Sequence, residues 1–387
     1  MNKMNKLLIL IVACFQIAFS QHSHSHANRE ISFPDIKGYL TLVCDFHTHS
    51  VFSDGSVWPS IRVAEAQKDG LDAIAVTEHI EYQSHIDDIP HPDRNRSYEL
   101  AKKYAGKSNL MVVNGTEITK NMPPGHSNAI FVKDVNKIMN DDYMEAYKAA
   151  RKQGAFIFWN HPHWIGQSKD GTVNIGEEVK ELINKRLLNG VEVTNERTYS
   201  DQAIQAALDY DLTMIGTSDV HNLVDWDYNI PHGGHRPVTL VFSKKRNQKD
   251  LKRSLFQGRT VVWYNNLLIG RNEWIRPLIN ASLTLDSVGY YKNYELAIIK
   301  IKNQSDARFI LKNKSEHEFY QHSDLVEIEP HTVKQLAIVA GKKLSNFDLE
   351  FEILNAVIAP RTHPTKKFQI RNVEKTRINR SQVLVFN

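Results

Sequence analysis

The residues in this sequence best equipped for chemistry are histidines. Among 387 residues there are 18 His but only two Cys, Cys14 and Cys44, so a metal would be held by imidazole and carboxylate rather than by thiolate. His47-Thr48-His49 sets two imidazoles two positions apart, and on a strand such side chains share a face and can converge on one ion. Asp54 follows in a Ser53-Asp54-Gly55 turn. Further along come Thr77-Glu78-His79, Gly115-Thr116-Glu117, His126 after Pro123-Pro124-Gly125, and Asn160-His161-Pro162-His163. Thr217-Ser218-Asp219-Val220-His221 closes the series, its Asp and His again at period two. A lone histidine is more often a hydrogen-bonded structural residue than a ligand. An ordered series of His, Asp and Glu, each after a β-branched run, is not explained by core filling and points to a metal site.

Residues so far apart need a scaffold that gathers them. From residue 40 to about 270, short β-branched runs alternate with amphipathic stretches, the pattern of strands joined by crossover helices. The spacing predicts strands at Leu40 to Phe46, Asp72 to Val76, Leu110 to Val113, Ala129 to Val132, Ala155 to Trp159, Gly190 to Thr194, Thr213 to Gly216 and Val238 to Phe242. Helices are expected near 58–69, 97–106, 141–153, 177–188, 200–210 and 248–257. Seven or eight β/α units suggest a barrel, and nearly every strand end then carries a metal-capable residue, where barrel enzymes build their sites. From Ile275 the pattern changes to alternating segments such as Tyr294 to Lys302, Asp324 to Glu329, Gln335 to Val339 and Asp348 to Leu354, without a helical period. The expected organisation is an α/β barrel over 39–274 followed by a small all-β, sandwich-like domain over 275–387.

The ligand series resembles the PHP (polymerase and histidinol phosphatase) superfamily of metallophosphoesterases over about residues 40–270. The resemblance rests on His47-Thr48-His49, Ser53-Asp54-Gly55, Thr77-Glu78-His79, Glu117, His126, His161 and Asp219-Val220-His221. It implies a distorted (β/α)7 TIM-like barrel and a trinuclear site. Carried over by position, one ion takes His47, His49 and Asp219, a second takes His126 and His161, Glu117 bridges these two, and a third takes Asp54, His79 and His221. Glu78 stands where such sequences often carry Asp, at a position not itself expected to ligate. The implied cofactors are three divalent ions, Zn, Mn or Fe, with Glu117, His161 and Asp219 as the catalytic set.

Phosphoester hydrolysis suits this donor set. Ions bridged by Glu117 would lower the pKa of a shared water to give hydroxide at neutral pH, and would neutralise phosphate oxygens during in-line displacement. No Ser or Cys nucleophile motif competes with this reading. Arg94, Arg96, Arg197 and His163 are the candidate substrate contacts, the arginines because a guanidinium can clamp phosphate bidentately; Lys120 and His235 are weaker candidates. Glu192 is a candidate to orient a liganding imidazole. The expected substrate is a small phosphorylated molecule, a phosphomonoester in preference to a diester. Two alternatives stay open at this point: an amidohydrolase-type enzyme, which would call for a bridging Lys where Glu117 stands, and a non-catalytic exported metal-binding or adhesion module.

Composition sets the outer bounds. With 41% hydrophobic and 24% charged residues the chain can bury a core without staples, and the 48 basic against 44 acidic residues give no nucleic-acid-scale basic surface. Lys3 and Lys6 precede an apolar run from Leu7 to Phe19 and small residues Ala18 and Ser20, which reads as a signal peptide over 1–20 cleaved after Ser20. The run is shorter than the roughly 20 residues of a membrane span, so a secreted or periplasmic protein with no remaining span is expected. Ile11-Val12-Ala13-Cys14 offers a lipoprotein alternative. A flexible segment over 21–38, with alternating His22, His24 and His26, is expected to follow, and Cys44 would remain as a small buried residue without a disulfide partner.

Overall fold

The computed structural model describes residues 29–290, 294–371 and 373. The expected signal peptide, Cys14 and the His22 to His26 stretch lie outside the described residues. The strands of the first domain are β1 (Leu40–Asp45), β2 (Ala73–Val76), β3 (Met111–Ile118), β4 (Ser127–Ile130), β5 (Phe156–Trp159), β6 (Gly190–Asn195), β7 (Thr198–Tyr199), β8 (Thr213–Thr217), β9 (Val238–Ser243), β10 (Thr260–Tyr264) and β11 (Leu267–Gly270). All eight strands read from the sequence are present, and helices at Pro59–Lys68, Arg96–Ala105, Tyr143–Lys152, Glu177–Asn184, Asp201–Asp209 and Gln248–Phe256 match the six expected.

Parallel pairing holds for β1 with β2, β2 with β3, β5 with β6 and β6 with β8. Two strands depart from a regular barrel. β4 runs antiparallel to both β3 and β5, because the chain returns directly from Ile118 to Ser127 and a parallel return needs a crossover of a dozen or more residues. β9 runs antiparallel to β1 and β10. The edge of β8 meets β9 through side chains: Thr239 Oγ1 donates to Gly216 O at 2.8 Å and accepts from Gly216 N at 3.0 Å. Thr260 Oγ1 adds a bond to Met214 O at 2.8 Å. The outcome is a distorted barrel whose seam is closed by threonine hydroxyls.

Alternation along the strands sorts the core into two layers. Leu42, Cys44, Ala73, Ala75, Val113, Phe156, Phe158, Ile215 and Val241 fill the interior beneath the strand ends. Neighbouring residues such as Val43, Ile74, Val76, Ile157 and Val191 face outward against the helices. Cys44 is buried and free, and burial pushes its thiol further up, away from thiolate.

A helix at Asn272–Ser282 crosses residue 274. The sequence reading expects only alternating β segments from Ile275 on; the helix forms despite Pro277 inside it, because Ile275, Leu278, Ile279 and Ser282 are buried at helical spacing. Beyond it, β12 (Leu283–Tyr290), β13 (Leu296–Asn303), β14 (Phe309–Asn313), β15 (Glu318–Phe319), β16 (Leu325–Ile328), β17 (Val333–Val339), β18 (Phe347–Ile353), β19 (Ala356–Val357) and β20 (Thr365–Ile370) are the remaining strands. All but β19 form two antiparallel four-stranded sheets, ordered β12-β13-β17-β15 and β16-β14-β18-β20. β19 instead pairs in parallel with β11 and extends the barrel sheet. One hydrophobic cluster runs from Val261 and Trp263 through Ile275 and Leu283 to Phe309 and Phe351, so the sandwich is fused to the barrel by a shared core. Residues 29–38 are also tied down: Ile31 N donates to Asp69 O at 2.9 Å, and Phe33 and Ile36 are buried.

Candidate metal centre

The strand ends bring the nine candidate ligands together. His47 Nε2 and His49 Nε2, at the end of β1, lie 3.0 Å apart, and Asp219 Oδ1 lies 3.0 Å and 3.1 Å from them. Glu117, at the end of β3, spans the site. Its Oε2 lies 3.5 Å from His47 Nε2, 3.4 Å from His49 Nε2 and 2.8 Å from His79 Nδ1. Its Oε1 lies 3.0 Å from His126 Nδ1 and 3.5 Å from His161 Nε2. Asp54 forms a third corner, with Oδ2 3.3 Å from His79 Nε2 and Oδ1 3.2 Å from His221 Nε2. Among the described residues, three donor sets have all ligating atoms within 4.8 Å of one another: His47, His49 and Asp219; His49, Asp54, His79 and His221; and His79, Glu117 and His126.

Buried polar residues hold these side chains in place. Glu192 is fully buried, accepts from Thr217 Oγ1 at 2.6 Å and from His161 N at 2.7 Å, and lies 2.9 Å from His47 Nδ1. By accepting a hydrogen bond from Nδ1–H it leaves the Nε2 lone pair of His47 facing the cluster. Glu78, whose burial pushes its carboxyl up, accepts from Ser50 N at 3.0 Å and Ser53 Oγ at 2.6 Å, so it fixes the turn that presents Asp54. Only glycine fits at position 55 of that turn, since a Cβ would lie 2.8 Å from the backbone of His49 and Ser50. Arg62 donates to His49 O at 2.7 Å and Val220 O at 3.1 Å, tying the first ligand strand to the last. Arg236, 1% exposed, bridges Asp69 and Asp45, and Asp45 in turn accepts from Ser218 Oγ at 2.5 Å. His161 and Asp219 both adopt left-handed backbone, with φ of 27° and 48°, a conformation that non-glycine residues keep only where the surroundings enforce it.

The electrostatics show how strongly the cluster draws positive charge. Glu117 and Asp219 are buried, which favours the neutral acid, yet the charges of His79 and His47 hold both well below the usual carboxylate range. Burial opposes protonation of His79, but Glu117 and Asp54 outweigh it and push the imidazole up to about 11. His221 is likewise carried against burial to about 9 by Asp54 and Asp219. His49 goes the other way, down to about 3, through burial and the charges of His221 and His79. Protons therefore stand where cations would balance the carboxylates. Glu117 Oε2, Asp219 Oδ1 and Asp54 Oδ1 are buried and accept no hydrogen bond of good geometry despite their close imidazole nitrogens. Nitrogen and oxygen atoms about 3 Å apart that fail to bond one another, but share a centre, fit ligands arranged at roughly 2.0–2.2 Å from a divalent ion.

The substrate-contact candidates divide. Arg94 sits beside His79 in a small cavity with Phe52 and His91, and its Nε and Nη1 reach no acceptor. His163 is buried with both ring nitrogens unpartnered. Arg197 donates from Nε to Asp227 O at 3.1 Å and lines a cavity next to the cluster. Arg96 is not brought to the cluster; it is half exposed on its helix and 3.3 Å from Glu99. Lys120 pairs with Glu81 at 2.8 Å, and His235 stacks on Trp263 with ring centroids 3.5 Å apart. Two residues at the mouth were not picked out from the sequence. Trp164 packs on His161 at 5.3 Å between centroids, and Glu196, just past β6, lines the mouth with Asn195. Both follow a strand end by a few residues, which is the signal that marked the ligands.

No curated protein matches the chain. A family model described as an Ig-like domain matches residues 283–369. A crystal structure from Bacteroides vulgatus, of a two-domain protein containing a predicted PHP-like metal-dependent phosphoesterase, is 40% identical, with 88% of this chain and 98% of that chain covered and a TM-score of 0.83. The chain belongs to this PHP-like family. Lower similarity is found to a structure from Bifidobacterium adolescentis provisionally described as a metal-dependent phosphoesterase (17% identity, 46% of this chain and 88% of that chain, TM-score 0.38). A sulfate-bound, metal-free amidohydrolase structure from Chromobacterium violaceum matches at 15% identity over 46% of this chain and 87% of that chain, with a TM-score of 0.31.

The PHP-like barrel is thus followed by an Ig-like domain, and among the described residues no helix is long and apolar enough to cross a membrane. Two outcomes follow from the charge arrangement. Ions must displace the protons that His79 and His221 hold at pH 7, so apparent metal affinity should rise as pH rises toward 9, with proton release on binding. Calorimetric titration of Zn or Mn into metal-free protein in two buffers of different ionisation enthalpy measures this; equal heats in both would contradict it. Replacing Glu192 by Gln should lower metal affinity by roughly 10- to 100-fold while the fold persists, read as the Kd of the tightest site.

Proposed function

We propose that the chain hydrolyses a phosphoester, with monoesters preferred over diesters, at a trinuclear divalent metal centre. His47, His49 and Asp219 would hold one ion, His126 and His161 a second, and Asp54, His79 and His221 a third, with Glu117 bridging the first two. Bound there, divalent ions supply Lewis-acid charge to phosphate oxygens and acidify water near neutral pH. The observation that carries the reading is Glu117 itself: its two oxygens face different imidazole groups across the mouth, at 2.8–3.5 Å.

The chain's own residues then divide the work. Glu192 and the backbone carbonyl of Asp219, 2.7 Å from His221 Nδ1, set imidazole tautomers so that the opposite nitrogens point at the cluster. Asn160 Nδ2 donates to Glu117 Oε1 at 2.9 Å and steadies the bridging carboxylate. Buried His163 and half-buried Arg94, whose Nε and Nη1 are enclosed without an acceptor, supply donors at the edges of the site that a phosphate oxygen would satisfy. Trp164 covers His126 and His161 and limits water on that side. A glutamate where an amidohydrolase would carry a bridging lysine favours ester over amide chemistry. Zn, Mn and Fe all suit this nitrogen and oxygen donor set, and the N-terminal signal pattern supports a reaction outside the cytoplasm.

Turnover of p-nitrophenyl phosphate and bis(p-nitrophenyl) phosphate by protein supplied with Zn, Mn or Fe(II) tests the proposal. The expected result is metal-dependent release of p-nitrophenol, faster from the monoester, with His161→Ala lowering kcat by at least about 100-fold. A metal-replete wild type inactive on both esters would sink the phosphoesterase reading.

A further inference from the structure

Beside the metal centre lies a second cavity, of about 940 Å³, walled by the barrel on one side and the Ig-like domain on the other. Glu196 and Arg197 of the barrel, with Tyr264 at the end of β10, form one wall. Asp306, Arg308, Glu329 and His331 of the Ig-like domain form the opposite wall. Glu196 also lines the metal mouth, so the two spaces meet at its side chain. That carboxylate lies close enough to Asp219 and His221 to feel their charges.

The cavity is built rather than an accident of two loosely joined domains. Asn266 Nδ2 donates to Arg308 O at 2.9 Å while Arg308 N donates to Asn266 Oδ1 at 2.8 Å. Asn355 Nδ2 donates to Asn266 O at 3.0 Å and to Arg308 O at 2.8 Å. Together with the β11–β19 pairing, these bonds fix the spacing between the walls. Its volume lies in the range of preformed ligand sites, roughly 300–1,000 Å³.

The lining selects the occupant. Arg29, Arg197, Arg236 and Arg308 are offset by Asp69, Glu196, Asp227, Asp306 and Glu329, so neither a polyanion nor a polycation is favoured. Alternating donors and acceptors beside the Tyr264 ring suit a neutral ligand that both donates and accepts many hydrogen bonds. Arg29 Nη2 is buried there without an acceptor. We propose that this cavity binds the non-phosphorylated part of the substrate and that this part is a carbohydrate, so that the Ig-like domain contributes directly to substrate selection. The inference rests on the phosphoesterase reading for its phosphate end, but the sugar-binding cavity is testable alone.

Trehalose 6-phosphate and p-nitrophenyl phosphate serve as the substrate pair, with Arg308→Ala and Glu329→Ala as variants on the exposed Ig-like wall. The expected result is a kcat/KM at least about tenfold higher for the disaccharide phosphate than for the aryl phosphate. Each variant should raise the KM ratio between the two substrates several-fold, with kcat for the disaccharide phosphate retained. Unphosphorylated trehalose added to metal-free wild type should shift the fluorescence of Trp263, which also lines the cavity, and the shift should weaken in both variants. An unaltered KM ratio together with no trehalose response would overturn the cavity proposal even if p-nitrophenyl phosphate is cleaved. A trehalose response in a protein that cleaves neither ester would uphold the cavity and defeat the phosphoesterase reading.

Discussion

Three carboxylates and six imidazoles cannot be crowded into the mouth of a barrel without positive charge to share. Asp219 Oδ1 within 3.1 Å of two imidazole nitrogens, and Glu117 Oε2 within 3.5 Å of three, are contacts that only protons or metal ions can make favourable. Desolvation penalises every charged form here, and unpaired buried charge is costly. The rest of the barrel reads as a response to that constraint. Left-handed backbone at His161 and Asp219, the Glu78-held turn and the Arg62 and Arg236 ties each fix a ligand that would otherwise swing away.

The scaffold also explains why the two domains act as one body. β19 leaves the Ig-like sheets to join the barrel sheet, and a single apolar cluster spans the junction. An interface built in this way gives a rigid wall next to the catalytic mouth rather than a tethered appendage. In an enzyme whose phosphate chemistry is set by the ligand cluster, such a wall is where discrimination among leaving groups can reside.

Much of this was legible in the sequence. The ligand series was visible because it recurs at strand ends, and strand ends follow from β-branched runs. The positions of β4 and β9 were legible too, but their direction was not, since alternation of side chains is the same in either sense. The helix Asn272–Ser282 was hidden by Pro277. Glu192 was recognisable only as a candidate, because its role depends on three partners brought in from β1, β5 and β8. Arg96 and Arg94 look equivalent in sequence; the helix that starts at Arg96 turns one outward and leaves the other beside His79. The joint cavity between the domains had no sequence signature, as its two walls come from segments about 40 or more residues apart.

The central claim is that convergent donors at the barrel mouth hold cations, and elemental analysis of the purified protein tests it most directly. After equilibration with excess Zn or Mn and removal of free metal, close to three ions per chain are predicted, with a clear loss in a Glu117→Ala variant that remains folded. Protein that retains no stoichiometric metal, or retains the same amount without Glu117, would contradict the account.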